Sequence, residues 1–324
     1  MKFQDAVSLV KDTVSDWSED RVPRMGAALA CYSAFSVAPL VMLVIAVASL
    51  IFDRAQVEQA ISGELQHTFG PAVAKAIGGI MTSAEQANST TATIIGVIVL
   101  LFGASGVFAE LQDSLNSIWK VQPKPGRAIW TVIRERFFSF TMVLGTGFLL
   151  LVSLVISTGL TVTAKFFASY IHVDAGLWQA VNTLVSLGFI VVVFALIYKE
   201  VPDVKVGWYD VWLGALLAGV LFTLGKYLLG LYLGRAATTS AYGAAGSLVA
   251  FLIWVYYSAQ ILLFGAEFTR VFARRYRHRV APQENAVRLT REDLIRQGMP
   301  RQEDVEAATR AQEAQHHSSP GGGG

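Results

Sequence analysis

The chain keeps few ionisable side chains inside its apolar stretches, and any chemistry must be sought there. They are Glu110, Asp113, Lys226 and Glu267, with the amides of Asn116 and Gln260 and the phenol of Tyr256. On a helix turning about 100° per residue, Gly103, Gly106, Glu110, Asp113, Ser114 and Ser117 share an arc of about 100°. Leu101, Phe108 and Leu115 project from the other side. Lipid offers a small and polar stripe no partner, so it must face other helices or water. Two readings stay open. The carboxylates line a cavity, with Asn116 grouped into the lining, or the stripe is a packing seam whose acidic end leaves the bilayer.

Gly219, Thr223, Lys226 and Gly230 form a second stripe, continued by Gly234 at Gly-x-x-x-Gly spacing, where small residues admit a neighbouring helix. Lys226 either snorkels to the outer surface or projects inward as a charge that an anionic substrate or headgroup meets. Tyr256, Gln260 and Glu267 share one face of a third helix within about 40°. Glu267 stands three residues before Arg270, and an exposed ion pair of little energetic weight is expected there. Glu200 and Asp203 are expected in a short solvated turn. No nucleophile, base and orienting group can be assembled into a catalytic set, so no enzyme activity is expected.

The elements that must position these residues follow from composition. Of 324 residues 53% are apolar and 15% charged, where a soluble chain carries roughly 25% charged. The formal charge of +2 advertises no nucleic-acid surface. Several windows of about 20 residues lack any ionised group, enough at 1.5 Å per residue to cross roughly 30 Å of hydrocarbon. The fold class is therefore read as all-α, a polytopic membrane protein with six transmembrane helices. These run over about 26–52, 91–111, 137–163, 178–198, 211–232 and 247–268. Pro39 is expected to kink the first. The second helix is expected to continue to Trp119 before Pro123 and Pro125 stop the chain.

The domain reading has three parts: 1–24, a cytoplasmic amphipathic helix; 25–270, the transmembrane domain; and 271–324, a largely disordered cytoplasmic tail. In the first, Phe3, Val7, Val10, Val14 and Trp17 make one apolar stripe. That helix lies flat on the membrane or packs on the protein's own cytoplasmic side, and both readings stand. The outer segment 53–90 is expected to hold short helices, one on Val57, Ile61 and Leu65 and another on Val73, Ile77 and Ile80. In the tail, Thr290 and Asp293 have the spacing of a helix cap. The lone Cys31 can form no intramolecular disulfide and is expected as a small buried side chain. No signal peptide is visible, so the first membrane helix is expected to serve as the insertion signal.

Sixteen Lys and Arg flank the spans on one side, against Arg54, Lys75, Lys165 and Arg235 on the other. The positive-inside bias then places both termini in the cytoplasm.

Several segments together resemble the YihY/BrkB family of bacterial inner-membrane proteins. They are Ala27-Ala-Leu-Ala-Cys-Tyr-Ser-Ala-Phe-Ser-Val-Ala-Pro-Leu40 and Phe102-Gly-Ala-Ser-Gly-Val-Phe-Ala-Glu-Leu-Gln-Asp-Ser-Leu-Asn-Ser-Ile-Trp119. Val201-Pro-Asp-Val-Lys-Val206, Gly225-Lys-Tyr227, Tyr242-Gly-Ala-Ala-Gly-Ser247 and Gly265-Ala-Glu-Phe-Thr-Arg270 follow. The resemblance covers about residues 20 to 275, with the tail beyond Val280 outside it. It implies six transmembrane helices, a cytoplasmic membrane, an ill-defined activity usually guessed to be transport, and an old label of ribonuclease BN. That label fits poorly. A metal-dependent nuclease needs converging ligands, and His67, His172, His278, His316 and His317 are scattered. No basic patch interleaves aromatic residues for RNA stacking.

Two functions compete. In the first, a transporter or translocator carries a lipid or amphiphilic anion along a path lined by Glu110, Asp113, Asn116, Lys226, Tyr256, Gln260 and Glu267. In this reading Gly103, Gly106, Gly219, Gly230 and Gly234 are packing residues. In the second, the chain is a non-catalytic membrane scaffold or partner subunit of an envelope complex. Membrane lipids are the expected partners, nucleic acid is not, no cofactor or metal is implied, and the glycine seams are compatible with a homo-oligomer.

Overall fold

A computed structural model describes residues 3–49, 53–69, 74, 78, 106–124, 175–237, 243–276 and 280–296. Three of its helices are long and apolar enough to cross a membrane. They are α5 (Ala175–Glu200), α6 (Trp208–Ala237) and α7 (Gly243–Tyr276). Before them come α1 (Phe3–Glu19), α2 (Val22–Ala48), α3 (Arg54–Phe69) and α4, whose described residues are 106–118. The last described helix, α8, is Arg291–Arg296. Residues 91–105 of the expected second span (91–111), the expected third span 137–163, and the expected helix on Val73, Ile77 and Ile80 fall outside the described residues apart from isolated positions. The sixth span, read to end at Phe268, continues to Tyr276. Its 34 residues rise about 51 Å, more than roughly 30 Å of hydrocarbon requires. One end of α7, bearing Arg270, Arg274 and Arg275, therefore emerges from the apolar layer. α2 runs on through Pro39 as a single helix.

Close approach of backbones sets the packing of the three long helices. A Cβ at Gly214 of α6 would collide with the Thr269 hydroxyl of α7 and lie 2.8 Å from the Gly265 carbonyl. A Cβ at Gly265 would strike the Tyr198 hydroxyl of α5 and lie 2.7 Å from the Ala218 methyl. Only glycine at both positions lets α6 and α7 touch with α5 wedged beside them. The Tyr198 hydroxyl donates to the Leu262 carbonyl at 2.7 Å, and Thr269 returns its own to Gly265 at 2.7 Å. Higher up, Phe194, Phe222 and Trp254 meet edge to face, one ring from each helix. A Cβ at Gly219 would lie 2.6 Å from the Val191 side chain of α5. Gly106 packs on the Tyr32 ring of α2. Gly103 lies outside the described residues, and Gly230 and Gly234 belong to a part of α6 whose surroundings are not described.

At the arginine-bearing end, two antiparallel strand pairs tie the chain together. β1 (Val121–Pro123) pairs with β4 (Ala286–Arg288) in the register Gln122↔Val287. β2 (Val204–Lys205) pairs with β3 (Ala281–Pro282) in the register Lys205↔Ala281. Residues 281–288 lie in the segment read from sequence as a largely disordered tail, and here they hold the strands β3 and β4. These strands are two or three residues long and carry no alternating apolar pattern. They exist because backbone groups of the two turns need partners.

α8 follows the cap expected from sequence. The Asp293 backbone N–H donates to the Thr290 hydroxyl at 3.2 Å, and the Asp293 carboxylate accepts from the Thr290 N–H at 3.0 Å. The Thr290 hydroxyl, which donates to the same carboxylate at 2.6 Å, and then the Thr290 N–H hold the Asp293 carboxyl below its ordinary range. Cys31 is exposed on α2, not buried as expected.

Candidate functional site: a buried charge cluster

α1, α4 and α7 converge on the Arg270 guanidinium. It donates to the Asp16 carboxylate at 2.7 Å and to Glu267, and lies 3.5 Å from Asp20. Lys120, just past the end of α4, pairs with Asp20. Arg274 joins at 3.3 Å from Asp16. Three cations thus meet three carboxylates. Glu267 has no exposed surface and Arg270 only 8%. Glu267 Oε2, Asp20 Oδ2 and Arg270 Nε have no hydrogen-bond partner among the described residues. Burial pulls the Lys120 ammonium below its ordinary range, against the opposing effect of Asp20.

Two backbone outliers frame the cluster. Arg21 and Lys120 have φ of 54° and 55°, a conformation that costs a non-glycine residue about 1–2 kcal/mol. Both follow a helix end, and each turn carries a cluster residue, Asp20 or Lys120 itself.

A second polar node lies nearby. Asp203 accepts from the Asn116 side-chain amide at 2.9 Å, and its own backbone N–H donates to the Asn116 side-chain Oδ1 at 2.8 Å. Asn285 from the C-terminal strap reaches Asp203 at 3.4 Å, and the Gln283 N–H donates to the Asp203 carbonyl at 2.9 Å. The expectation of a solvated Asp203 is overturned: it is buried, because two separate segments, α4 and residues 283–285, supply its donors. Asp113 keeps an exposed side chain. Surrounding protein first, and the Asp203 carboxylate second, still push its carboxyl above the ordinary range.

The expected exposed Glu267–Arg270 pair is likewise corrected. The i,i+3 contact exists, but α1 covers it and adds Asp16 and Asp20. Of the other proposed lining residues, Gln260 and Tyr256 stack against Gly26 at the start of α2, where the Gln260 amide reaches the Pro23 carbonyl at 3.5 Å. Glu110 is half-buried one turn before Asp113. Lys226 is half-buried on α6, twelve residues past Gly214 and so about 18 Å along the axis from the Gly214–Thr269 contact. It lies well away from the charge cluster. Among the described residues no group of His, Cys, Asp or Glu is arranged to hold a metal ion.

The profile of the family described as Virulence factor BrkB matches residues 13–290. The chain belongs to this family. UPF0761 membrane proteins are among its relatives, with 29% identity over 287 residues for that of Azotobacter vinelandii. The match covers 87% of this chain and 68% of the relative. The relative from Pseudomonas aeruginosa (strain LESB58) is 29% identical over 82% of this chain, which spans 62% of that protein's length. The one from Tolumonas auensis is 30% identical, covering 77% of this chain and 80% of its own. No solved structure matches. As a BrkB-family chain with apolar spanning helices, this is an integral membrane protein. The family match also runs past Val280, where the sequence resemblance was read to stop, and takes in both strands of the strap.

Sequence reading missed Asp16, Asp20, Lys120 and Asp203. One signal was present for the first two. Asp12, Asp16 and Asp20 recur every four residues on the BrkB chain's first helix, matching the Arg270 and Arg274 spacing on its last long one.

Proposed function

We propose that this BrkB-family protein is a transporter or translocator of a lipid or another amphiphilic anion in the bacterial cytoplasmic membrane. Both termini face the cytoplasm and no covalent chemistry is performed. The polar path runs between α4, α6 and α7, and the Arg270 cluster closes its cytoplasmic end. The observation that supports this reading is the complete burial of Glu267 against Arg270 where α1, α4 and α7 meet. Desolvating each such ion costs several kcal/mol, and apolar packing of similar volume is often at least as stable. Charges kept there against that cost suit a gate that must both close and part. Lys226, farther along α6, is the cation positioned to meet an anionic headgroup.

Purified protein in liposomes tests this directly. Labelled phospholipid or a lipophilic anion should cross faster than in empty liposomes, and Glu267→Gln or Lys226→Met should change that rate. Protein that moves neither labelled lipid nor small ions would overturn the reading. Recovery of a stoichiometric crosslinked partner, with tolerance of changes at Glu110, Asp113 and Lys226, would favour the scaffold reading instead.

A further inference from the structure

The ion pairs fix which way α1 faces. Asp16 and Asp20 meet Arg270, Asp12 meets Arg275 at 3.6 Å, and Leu9 packs on Val271 and Phe272. The acidic side of α1 is therefore spent on α7. Three residues of the stripe that sequence reading singled out, Val7, Val10 and Val14, are turned about 150° away from it at 100° per residue, whereas Trp17 of the same stripe packs against the core. Val7, Val10 and Val14 are 52%, 46% and 50% exposed.

Three observations identify what covers them. First, α1 crosses α7 steeply. The described hydrogen bonds and ion pairs from residues 8 to 20, about 18 Å of rise, to α7 fall on its residues 270 to 275, about 8 Å. If α7 spans the membrane, α1 lies close to its plane. Second, the level is that of the membrane boundary. Leu9 packs beside Leu213, at the start of α6, and against Phe272, near the end of α7. Phe272 in turn touches Tyr209, which with Trp212 forms an exposed aromatic rim on α6. Tyr and Trp rings settle at headgroup depth. Third, Lys11 is the charge flanking the valines on their exposed side, the arrangement of an interfacial helix in anionic lipid.

We propose that α1 is an interfacial helix of this protein's own membrane. Its Val7, Val10 and Val14 sit in the boundary between headgroups and acyl chains, Lys11 lies among lipid phosphates, and its acidic face is latched to α7. The proposal rests on membrane spanning by α6 and α7 and is independent of transport.

Nitroxide labels on the full-length protein, in phosphatidylethanolamine–phosphatidylglycerol vesicles, read this out. Cys31 is first replaced by Ser, since it is exposed. Labels at Val10→Cys and Val14→Cys should collide more with dissolved oxygen than with a water-soluble nickel chelate, and at Ser15→Cys the ratio should reverse. Chelate dominating at 10 and 14 would place the valines in water. Low collision with both reagents would place them against protein, such as a second copy of this chain. Either result overturns the proposal. The two valine positions report separately, so loss of one variant to misfolding leaves the other to decide.

Discussion

Arg270 is the side chain on which the cluster depends, since removing it leaves Glu267, Asp16 and Asp20 facing one another in a desolvated space. Arg270→Ala should lower stability by about 3–5 kcal/mol. Arg270→Lys should recover only part, because an ammonium is more strongly hydrated than a guanidinium and costs more to bury among Asp16, Asp20 and Glu267. Unfolding titrations in detergent micelles would measure both. Asp113 makes a pH-dependent contribution of the opposite kind. Its folded carboxyl titrates above the ordinary value of 3.8, so the folded state holds the proton more tightly. Its favourable contribution is complete below the unfolded pKa and is lost as pH rises through the folded one. Asp113→Asn should flatten that part of the melting-temperature profile and raise stability at neutral pH. Glu267 was legible in sequence as a lone acid late in an apolar run. Arg270 was legible as its i+3 partner, but Asp16 was not, because it lies 254 residues from Arg270 and its four-residue recurrence names no target.

Among the elements, α5, α6 and α7 were legible because uninterrupted apolar runs leave a helix as the sole way to satisfy the backbone in lipid. The Gly-x-x-x-Gly spacing drew attention to Gly230 and Gly234. The described α6–α7 contact instead uses Gly214 and Gly265, one on each helix, a pairing that no single-helix spacing displays. Gly214→Ala should destabilise by about 1–3 kcal/mol, since Thr269 and the Gly265 carbonyl already occupy the space. At Gly188 of α5 an added methyl meets nothing within 4 Å, so Gly188→Ala should change stability by about 0.5 kcal/mol or less. Thermal unfolding of the two variants side by side checks the contrast. The strands were illegible for a different reason: their residues have no pattern, and their pairing partners sit about 80 or more positions away.

For the whole molecule, composition was enough to place the chain in a bilayer, and charge asymmetry suggested its orientation. Neither could show that residues from both ends of the chain close over one end of the bundle. The strap over 281–289 and α1 reach that end from opposite termini, and Asp203 and Arg270 are where they make fast.

The steep crossing of α1 on α7 has a consequence for biogenesis. The first helix leaves the ribosome with its carboxylates unneutralised, while the guanidinium that will receive them is still unmade. Until the last long helix enters the bilayer, only Lys120, through Asp20, can hold that acidic side. The earliest-made element is thus among the last to dock, and a stall in translation before position 270 would strand it, charged and unseated, at the membrane.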